Sequence, residues 1–386
     1  MRKLIAGLGL LALAGCQPKT VKVGVVLPLS ASGEVSGYAR DVLNGVYLAL
    51  DELGGTVRGA KIEVIEQDYA GDEAKLAEAI KNLDQQGVVA IIGPLTSADV
   101  LSVKGLIKER KIPVLVPAAT LNSATEECDY MWRVCINNAY MAQAVAYLLG
   151  RELGIKEAAV IEQSGNPYSE ELTTNFREFF GQEGGKVVKL VAREKDKPVC
   201  DSGVVKEILG SFTAAQESTA VFAPLYYKDA AEVVKALRAA GYKGVVVGAD
   251  GWDNKKLPDL LGQGIGVNYF VTHFQSAEDR AKPFVAAYTN KYNEAPSSFA
   301  ALGYDAMKAL HEALDKAQSL SRDALNEQLG ITSIQGVTGD IAFSKDTHEP
   351  GAKGVAVVKL VDEGFRFFKR FALSPYGAKK SLSLAH

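Results

Sequence analysis

The sequence has little cysteine, histidine or tryptophan. Four Cys, four His and two Trp among 386 residues leave almost nothing for a metal cluster or a disulfide-built scaffold. It also lacks a charge excess. Forty-three Lys and Arg stand against 46 Asp and Glu, a formal net charge of −3, which is not the basic surplus of a general nucleic-acid binder. Several catalytic motifs are missing: no G-x-x-x-x-G-K-[ST] phosphate loop, no H-E-x-x-H pair and no G-x-S-x-G elbow is present. Gly262-Gln263-Gly264-Ile265-Gly266 is glycine-rich, but its spacing and context read as a turn. His273, His311, His348 and His386 are scattered, and His311-Glu312 has no second His nearby. No catalytic residue, metal or cofactor is expected. What is present is a globular balance, 47% hydrophobic and 23% charged, on a chain long enough for two or three domains.

The first residues bear on the compartment. Met1-Arg2-Lys3 is a short positive start and Leu4–Ala14 an apolar run too short to span a bilayer as a helix. This is the layout of a secretory signal. Its end, Leu13-Ala14-Gly15-Cys16, resembles a bacterial lipobox. The resemblance implies a signal peptide over 1–15, cleavage before Cys16, acylation of Cys16 and a linker over 16–20. The mature chain is then extracytoplasmic and tethered to a lipid bilayer, since several acyl chains anchor lastingly where one is marginal. Cys128, Cys135 and Cys200 would lie in an oxidising compartment. Cys128–Cys135 is the pair nearest in sequence and Cys135–Cys200 an alternative; spacing does not choose between them.

Along the mature chain one pattern repeats. Val21–Leu27, Lys61–Gln67, Val88–Ile92 and Ile112–Val116 read as strands. Between them Val35–Leu53, Asp72–Gln86 and Ala98–Glu109 have helical spacing, with Asp72 a cap and Gly87 a stop. A second α/β unit follows: helices at Met141–Leu153, Ser169–Gly181, Asp201–Thr213 and Asp229–Ala240, strands at Glu157–Glu162, Lys186–Val191, Thr219–Ala223 and Gly244–Gly248. Alternation of this kind predicts parallel sheets covered by helices. The remainder carries strands at Asn268–Thr272, Gly339–Phe343, Gly354–Leu360 and Phe365–Phe371. Helices are read at Asp279–Asn293, Ser298–Ala317 and Asp323–Leu329. This part is expected to complete both earlier sheets, with the last residues frayed.

Ligands of open parallel sheets bind beyond the carboxyl ends of the strands. Those positions hold Ser30, Ser32, Asp68, Ser97 and Ala118-Ala119-Thr120 in the first unit. In the second they hold Tyr168, Tyr226-Tyr227 and Asp250-Gly251-Trp252. The division suits a zwitterion. Ser97 and Thr120 can hold a carboxylate, helped by a helix N-terminus. Ala118 can expose a carbonyl and Asp250 can pair with an ammonium. Tyr38, Tyr168 and Tyr226 can wall the pocket. Each also has a plainer use: Ser97 as a helix cap, Thr120 within its own loop, Asp68 and Asp250 as turn acids, the tyrosines as packing. Lys104, Lys108, Arg110 and Lys111 read as a solvated helix face.

The chain carries Val23-Gly24-Val25-Val26-Leu27-Pro28-Leu29, Gly37-Tyr38, Asn44-Gly45, Ile91-Ile92-Gly93-Pro94 with Ser97, and Pro117-Ala118-Ala119-Thr120. The series continues through Trp132-Arg133, Tyr168, Tyr226-Tyr227, Gly248-Ala249-Asp250-Gly251, Tyr304-Asp305-Ala306 and Gly336-Val337-Thr338-Gly339. In the order and spacing of these motifs over Val21–Phe371 the chain resembles the leucine/isoleucine/valine-type periplasmic solute-binding proteins of ABC transporters. The resemblance implies a type I periplasmic-binding-protein fold of class α/β, two Rossmann-like lobes joined by three crossings. One lobe would take 21–139 plus 276–345, the other 140–275 plus 346–375, leaving 376–386 as a tail. It implies a small-molecule amino acid or analogue held by Ser97, Ala118, Ala119, Thr120, Tyr38, Tyr168, Tyr226, Asp250 and Phe274. The implied partners are permease subunits and the bilayer, not nucleic acid, and a monomer is expected. Asp250 stands where a longer Glu is common in leucine-binding members. Ser344-Lys345-Asp346-Thr347-His348-Glu349 departs from the usual turn, and no functional effect is expected from that. The alternative is a ligand-sensing or regulatory envelope lipoprotein on the same fold.

Overall fold

The computed structural model describes residues 20–194, 197–351 and 353–372, with the backbone of Ser383 and Leu384. The signal-like segment, Cys16 and most of the C-terminal tail lie outside the described residues.

The first sheet is built from β1 (Thr20–Leu27), β2 (Thr56–Val57), β3 (Ala60–Asp68), β4 (Ala90–Ile92), β5 (Val114–Val116) and β6 (Met131–Arg133), in the order β2-β3-β1-β4-β5-β6. All neighbours are parallel except the short β2–β3 hairpin. Alternation sends Val23, Val25 and Leu27 to one face and Val26 to the other. Helices α1 (Val35–Glu52), α2 (Glu73–Gln85) and α3 (Ser97–Arg110) intervene. Leu76, Ile80 and Leu83 of α2 and Val100, Val103 and Ile107 of α3 bury one side of the sheet, and α1 covers the other. Asp72 caps α2 by accepting from the Lys75 N–H at 3.0 Å.

The chain then crosses to a second unit, with helices α4 (Asn138–Tyr147), α5 (Pro167–Gln182), α6 (Ser202–Leu209), α7 (Tyr227–Ala239) and α8 (Leu257–Leu261), and strands β7 (Glu157–Ser164), β8 (Lys186–Glu194), β9 (Thr219–Phe222), β10 (Val245–Gly248) and β11 (Asn268–Thr272). It returns to the first unit for α9 (Lys282–Tyr292), α10 (Ser298–Lys316), α11 (Arg322–Leu329) and a hairpin of β12 (Ser333–Gly336) with β13 (Gly339–Ala342). A third crossing leads to β14 (Val355–Val361), antiparallel to β11, and β15 (Gly364–Ala372), antiparallel to β14, which extend the second sheet.

The C-terminal region therefore completes only one sheet with strands. Its contribution to the first lobe is helical, because β12 and β13 pair with each other and α10 packs on α1 instead. That packing is close. A Cβ on Gly45 would lie 1.9 Å from the Ala300 carbonyl oxygen, and one on Gly303 would lie 2.1 Å from that of Val42, so glycine at both positions lets the helix backbones touch. Residues 376–382 and 385–386 of the expected tail are not described, while Ser383 and Leu384 pair with β15.

The expected disulfide is absent: Cys128, Cys135 and Cys200 are free thiols. Cys128 precedes β6 and Cys135 follows it, and they enter cores on opposite faces of the first sheet. Their sulfurs are turned to the carbonyls of Lys104 and Ala119 respectively. Burial pushes the Cys135 thiol up to about 12, so it remains protonated.

Candidate functional site

The carboxyl ends of the two sheets face one another across a narrow cleft whose cavity measures about 30 Å³. Val35, Tyr38, Leu95, Ser97, Ala118 and Thr120 line it from the first lobe. Tyr168, Tyr226, Asp250 and Gly251 line it from the second, and Phe299 from the start of α10.

The first wall is a helix start. Thr96, not Ser97, caps α3: its hydroxyl accepts from the Asp99 N–H at 3.2 Å, and the Asp99 carboxylate accepts from the Thr96 N–H at 3.0 Å. Ser97 is thereby released from capping. Its oxygen accepts from the Leu121 N–H at 3.3 Å, which leaves its proton for another acceptor. Thr120 is 1% exposed, and its hydroxyl has no partner among the described residues. Its carbonyl accepts from the Asn138 N–H at 2.7 Å, so the loop itself is held. Asp99, the nearest acid on α3, is turned away onto Thr96 and the Tyr69 hydroxyl. The hydroxyls of Ser97 and Thr120 thus meet at the start of α3, where the Asp99 carboxylate is taken up by the capping box.

The second wall carries the acid. Asp250 opens a single turn (Asp250–Trp252) after β10 and is 3% exposed. Its Oδ1 accepts from the Tyr168 hydroxyl at 2.9 Å, and its Oδ2 lies 3.2 Å from His273 Nε2. Tyr168 is placed by an Asn-Pro helix start: Asn166 accepts from its N–H and Pro167 opens α5. Burial and the neighbouring Asp250 charge hold the Tyr168 phenol far above its ordinary range, so it stays a donor. A carboxylate has room for about four acceptor contacts, and two here are filled by protein.

Aromatic rings close the remaining sides. Tyr38 stacks on Phe299 with centroids 4.2 Å apart, and Tyr168 stacks on Tyr226 at 5.6 Å. The Tyr38 hydroxyl donates to the Gly251 carbonyl across the cleft at 2.7 Å, joining the lobes. Glu171 of α5 adds a second link, accepting from the Asn122 N–H and the Asn138 amide, both at 2.8 Å.

Seven of the nine residues expected at the site therefore line one cleft: Ser97, Ala118, Thr120, Tyr38, Tyr168, Tyr226 and Asp250. Two do not. The Ala119 carbonyl is taken by Arg133 at 2.7 Å. Phe274 packs edge-on against Phe284, with centroids 5.7 Å apart, outside the lining. Phe299 occupies the aromatic position instead. Its only signal in the sequence was its place at a helix start, where it could be read as core. Asp68 is a turn acid, accepting from the Ser30 and Ala70 N–H groups. Gly262, Gly264 and Gly266 form a turn, all at positive φ. Glu349, in the segment that departs from the usual turn, pairs at 2.9 Å with the buried Arg133.

A model of the family described as periplasmic binding protein matches residues 20–364. The Leu/Ile/Val-binding protein BraC3 of Rhizobium johnstonii is 22% identical over 80% of this chain and 83% of its own. Leu/Ile/Val-binding protein homolog 7 of Brucella abortus is 24% identical over 87% and 88%. Among solved structures, the leucine binding protein LivK of Thermotoga maritima superposes with a TM-score of 0.82 at 28% identity, over 92% of this chain and 99% of that one. LivJ of Streptococcus pneumoniae, solved with isoleucine, gives 0.81 at 24% over 92% and 100%. With a match across nearly the whole described chain and two α/β lobes meeting at this cleft, the chain belongs to the periplasmic binding protein family.

Proposed function

We propose that the chain is the extracytoplasmic solute-binding component of an ABC importer, that it takes an amino acid or a similarly small zwitterion, and that it delivers this to a permease. The lobes in this reading are 21–139 with 276–345 and 140–275 with 346–375, and Cys16 carries the lipid anchor. The observation that carries the reading is the opposition of charges. Asp250 faces the ligand space from one lobe. Ser97, the Thr120 hydroxyl, which has no partner among the described residues, and the start of α3 face it from the other. A ligand with one cationic and one anionic end satisfies both walls and so favours the closed arrangement, since ligand shifts that equilibrium only through better contacts in one state. A plain carboxylic acid would fill the first wall and leave Asp250 unmatched. Isothermal titration against the twenty amino acids and against benzoate tests this. Binding of at least one amino acid below millimolar is expected, and binding of benzoate alone would overturn it. For the anchor, wild-type chain is expected in the membrane fraction of an expressing bacterium and Cys16→Ala in the soluble one; a soluble wild type would remove that part.

A further inference from the structure

His273 stands just after β11, where the chain begins its second crossing, and is 1% exposed. Its two ring nitrogens have different partners. Nδ1 accepts from the Ile136 N–H on the first crossing at 3.4 Å, and Nε2 lies 3.2 Å from Asp250 Oδ2. A backbone N–H can only donate, so Nδ1 is the bare nitrogen and Nε2 carries the proton. The charged groups around the ring are Asp250, Lys353 and Arg370. Burial, with the two cations, outweighs Asp250 and holds the imidazole below its ordinary pKa. A charged ring would also turn an Nδ1–H against the Ile136 N–H.

The backbone of His273 is tied as firmly as its ring. Its carbonyl accepts from Arg370 Nη2 at 3.2 Å, while Arg370 Nη1 donates to the Gly354 carbonyl on the third crossing at 2.6 Å. Lys353, beside Gly354, donates to the Val134 carbonyl on the first crossing at 2.7 Å. All three crossings are therefore bonded together around His273, and the ring extends that network to the acid of the ligand wall.

We propose that His273 is a positioning residue: its neutral Nε2–H fixes the rotation of the Asp250 carboxylate, so that the second lone pairs of Oδ1 and Oδ2 point to the ligand's cationic group, and it couples that group to the segments on which the lobes turn. The proposal rests on the reading above that Asp250 receives a cation. Tyr168 alone would hold one oxygen and leave the carboxylate free to swing about the Cβ–Cγ bond. Two donors from separate elements hold both. Preorganisation of this kind lowers the cost of ordering the site on binding.

Two measurements test it. In the long-range proton–nitrogen spectrum of ligand-free protein, the His273 signals, assigned by their loss in His273→Gln, are expected to show the neutral Nε2–H form at pH 7. An Nδ1–H form or an imidazolium overturns the proposal. This readout needs no ligand, so it decides the His273–Asp250 contact even if the ligand class is misjudged. In titrations with L-leucine, His273→Leu is expected to weaken binding about tenfold or more, as for loss of a hydrogen bond to a charged group. His273→Gln, which can still offer an N–H, recovers most of that. In an Asp250→Ala background the Leu substitution adds little, because coupled residues are not additive. The same loss in that background, or wild-type affinity in His273→Leu, overturns the proposal. A cooperative thermal transition in His273→Gln guards against misfolding. Failure of the wild type to bind L-leucine or any other amino acid counts against the ligand class only.

Discussion

Thr120→Val should move stability and affinity in opposite directions. Thr120 is 1% exposed and its hydroxyl meets no partner among the described residues, while its neighbours define a cleft wall. Valine keeps the branched shape and replaces the hydroxyl by a methyl. In the ligand-free protein this removes a buried polar group that no atom of the described residues satisfies, a relief of about 1–3 kcal/mol. For a lobe of this size each kcal/mol is worth roughly 2–4 °C in melting temperature. In the complex, the same change removes a donor to a carboxylate, about 1.5–3 kcal/mol, or roughly a 10- to 150-fold rise in Kd. Calorimetric melting without ligand and isothermal titration with the bound amino acid read the two effects separately. Thr120→Ser, which keeps the hydroxyl, should retain affinity. A valine variant that binds like the wild type would show that the hydroxyl does not serve the ligand. One that both melts lower and binds worse would show that Thr120 acts through packing alone.

Asp250→Ala should cost roughly 2–5 kcal/mol of affinity, the range for truncating one partner of a buried charge pair, and an unchanged Kd would mark the acid as a turn residue. Tyr38→Phe keeps the stack on Phe299 but loses the cross-cleft bond to Gly251; the closed state should weaken by about 0.5–1.5 kcal/mol, read as faster ligand release in stopped flow, and an unaltered release rate would exclude the latch role. Asp253 is pushed up to about 6 from 3.8, first by burial, against hydrogen bonds that include one from Thr272. A raised carboxyl contributes stability that is present below pH 3.8 and lost as pH rises through 6, up to about 3 kcal/mol. Asp253→Asn should therefore melt higher than wild type at pH 7.5, with the gap closing by pH 4; a gap independent of pH would contradict the assignment.

Most of the secondary structure was legible because its signals are local. Asp72 caps α2, Gly87 follows its end at positive φ, and Asn268–Thr272 forms β11 with the bounds read from its apolar run. Four strands were not legible: β2 and the Ser383–Leu384 strand have two residues each. β6 is three residues long, and β12 is a half-exposed edge, each too short or too mixed for a period to show. The site was legible in part for a related reason. Ser97, Thr120, Tyr168, Tyr226 and Asp250 each lie just past a strand, and in a parallel sheet those positions converge whatever the rest of the chain does.

What the sequence by itself determined is which segments become strands and helices and which polar residues stand at their ends, because propensity, capping and period act over a few residues. Only the tertiary structure decided what those ends meet. Tyr38 bonds a carbonyl 213 residues away. Phe299 rather than Phe274 walls the cleft, His273 rather than solvent faces Asp250, and β6 separates Cys128 from Cys135. These pairings depend on three crossings of the chain between lobes. A crossing is set by how two whole layers bury their apolar faces, which no short window of sequence contains.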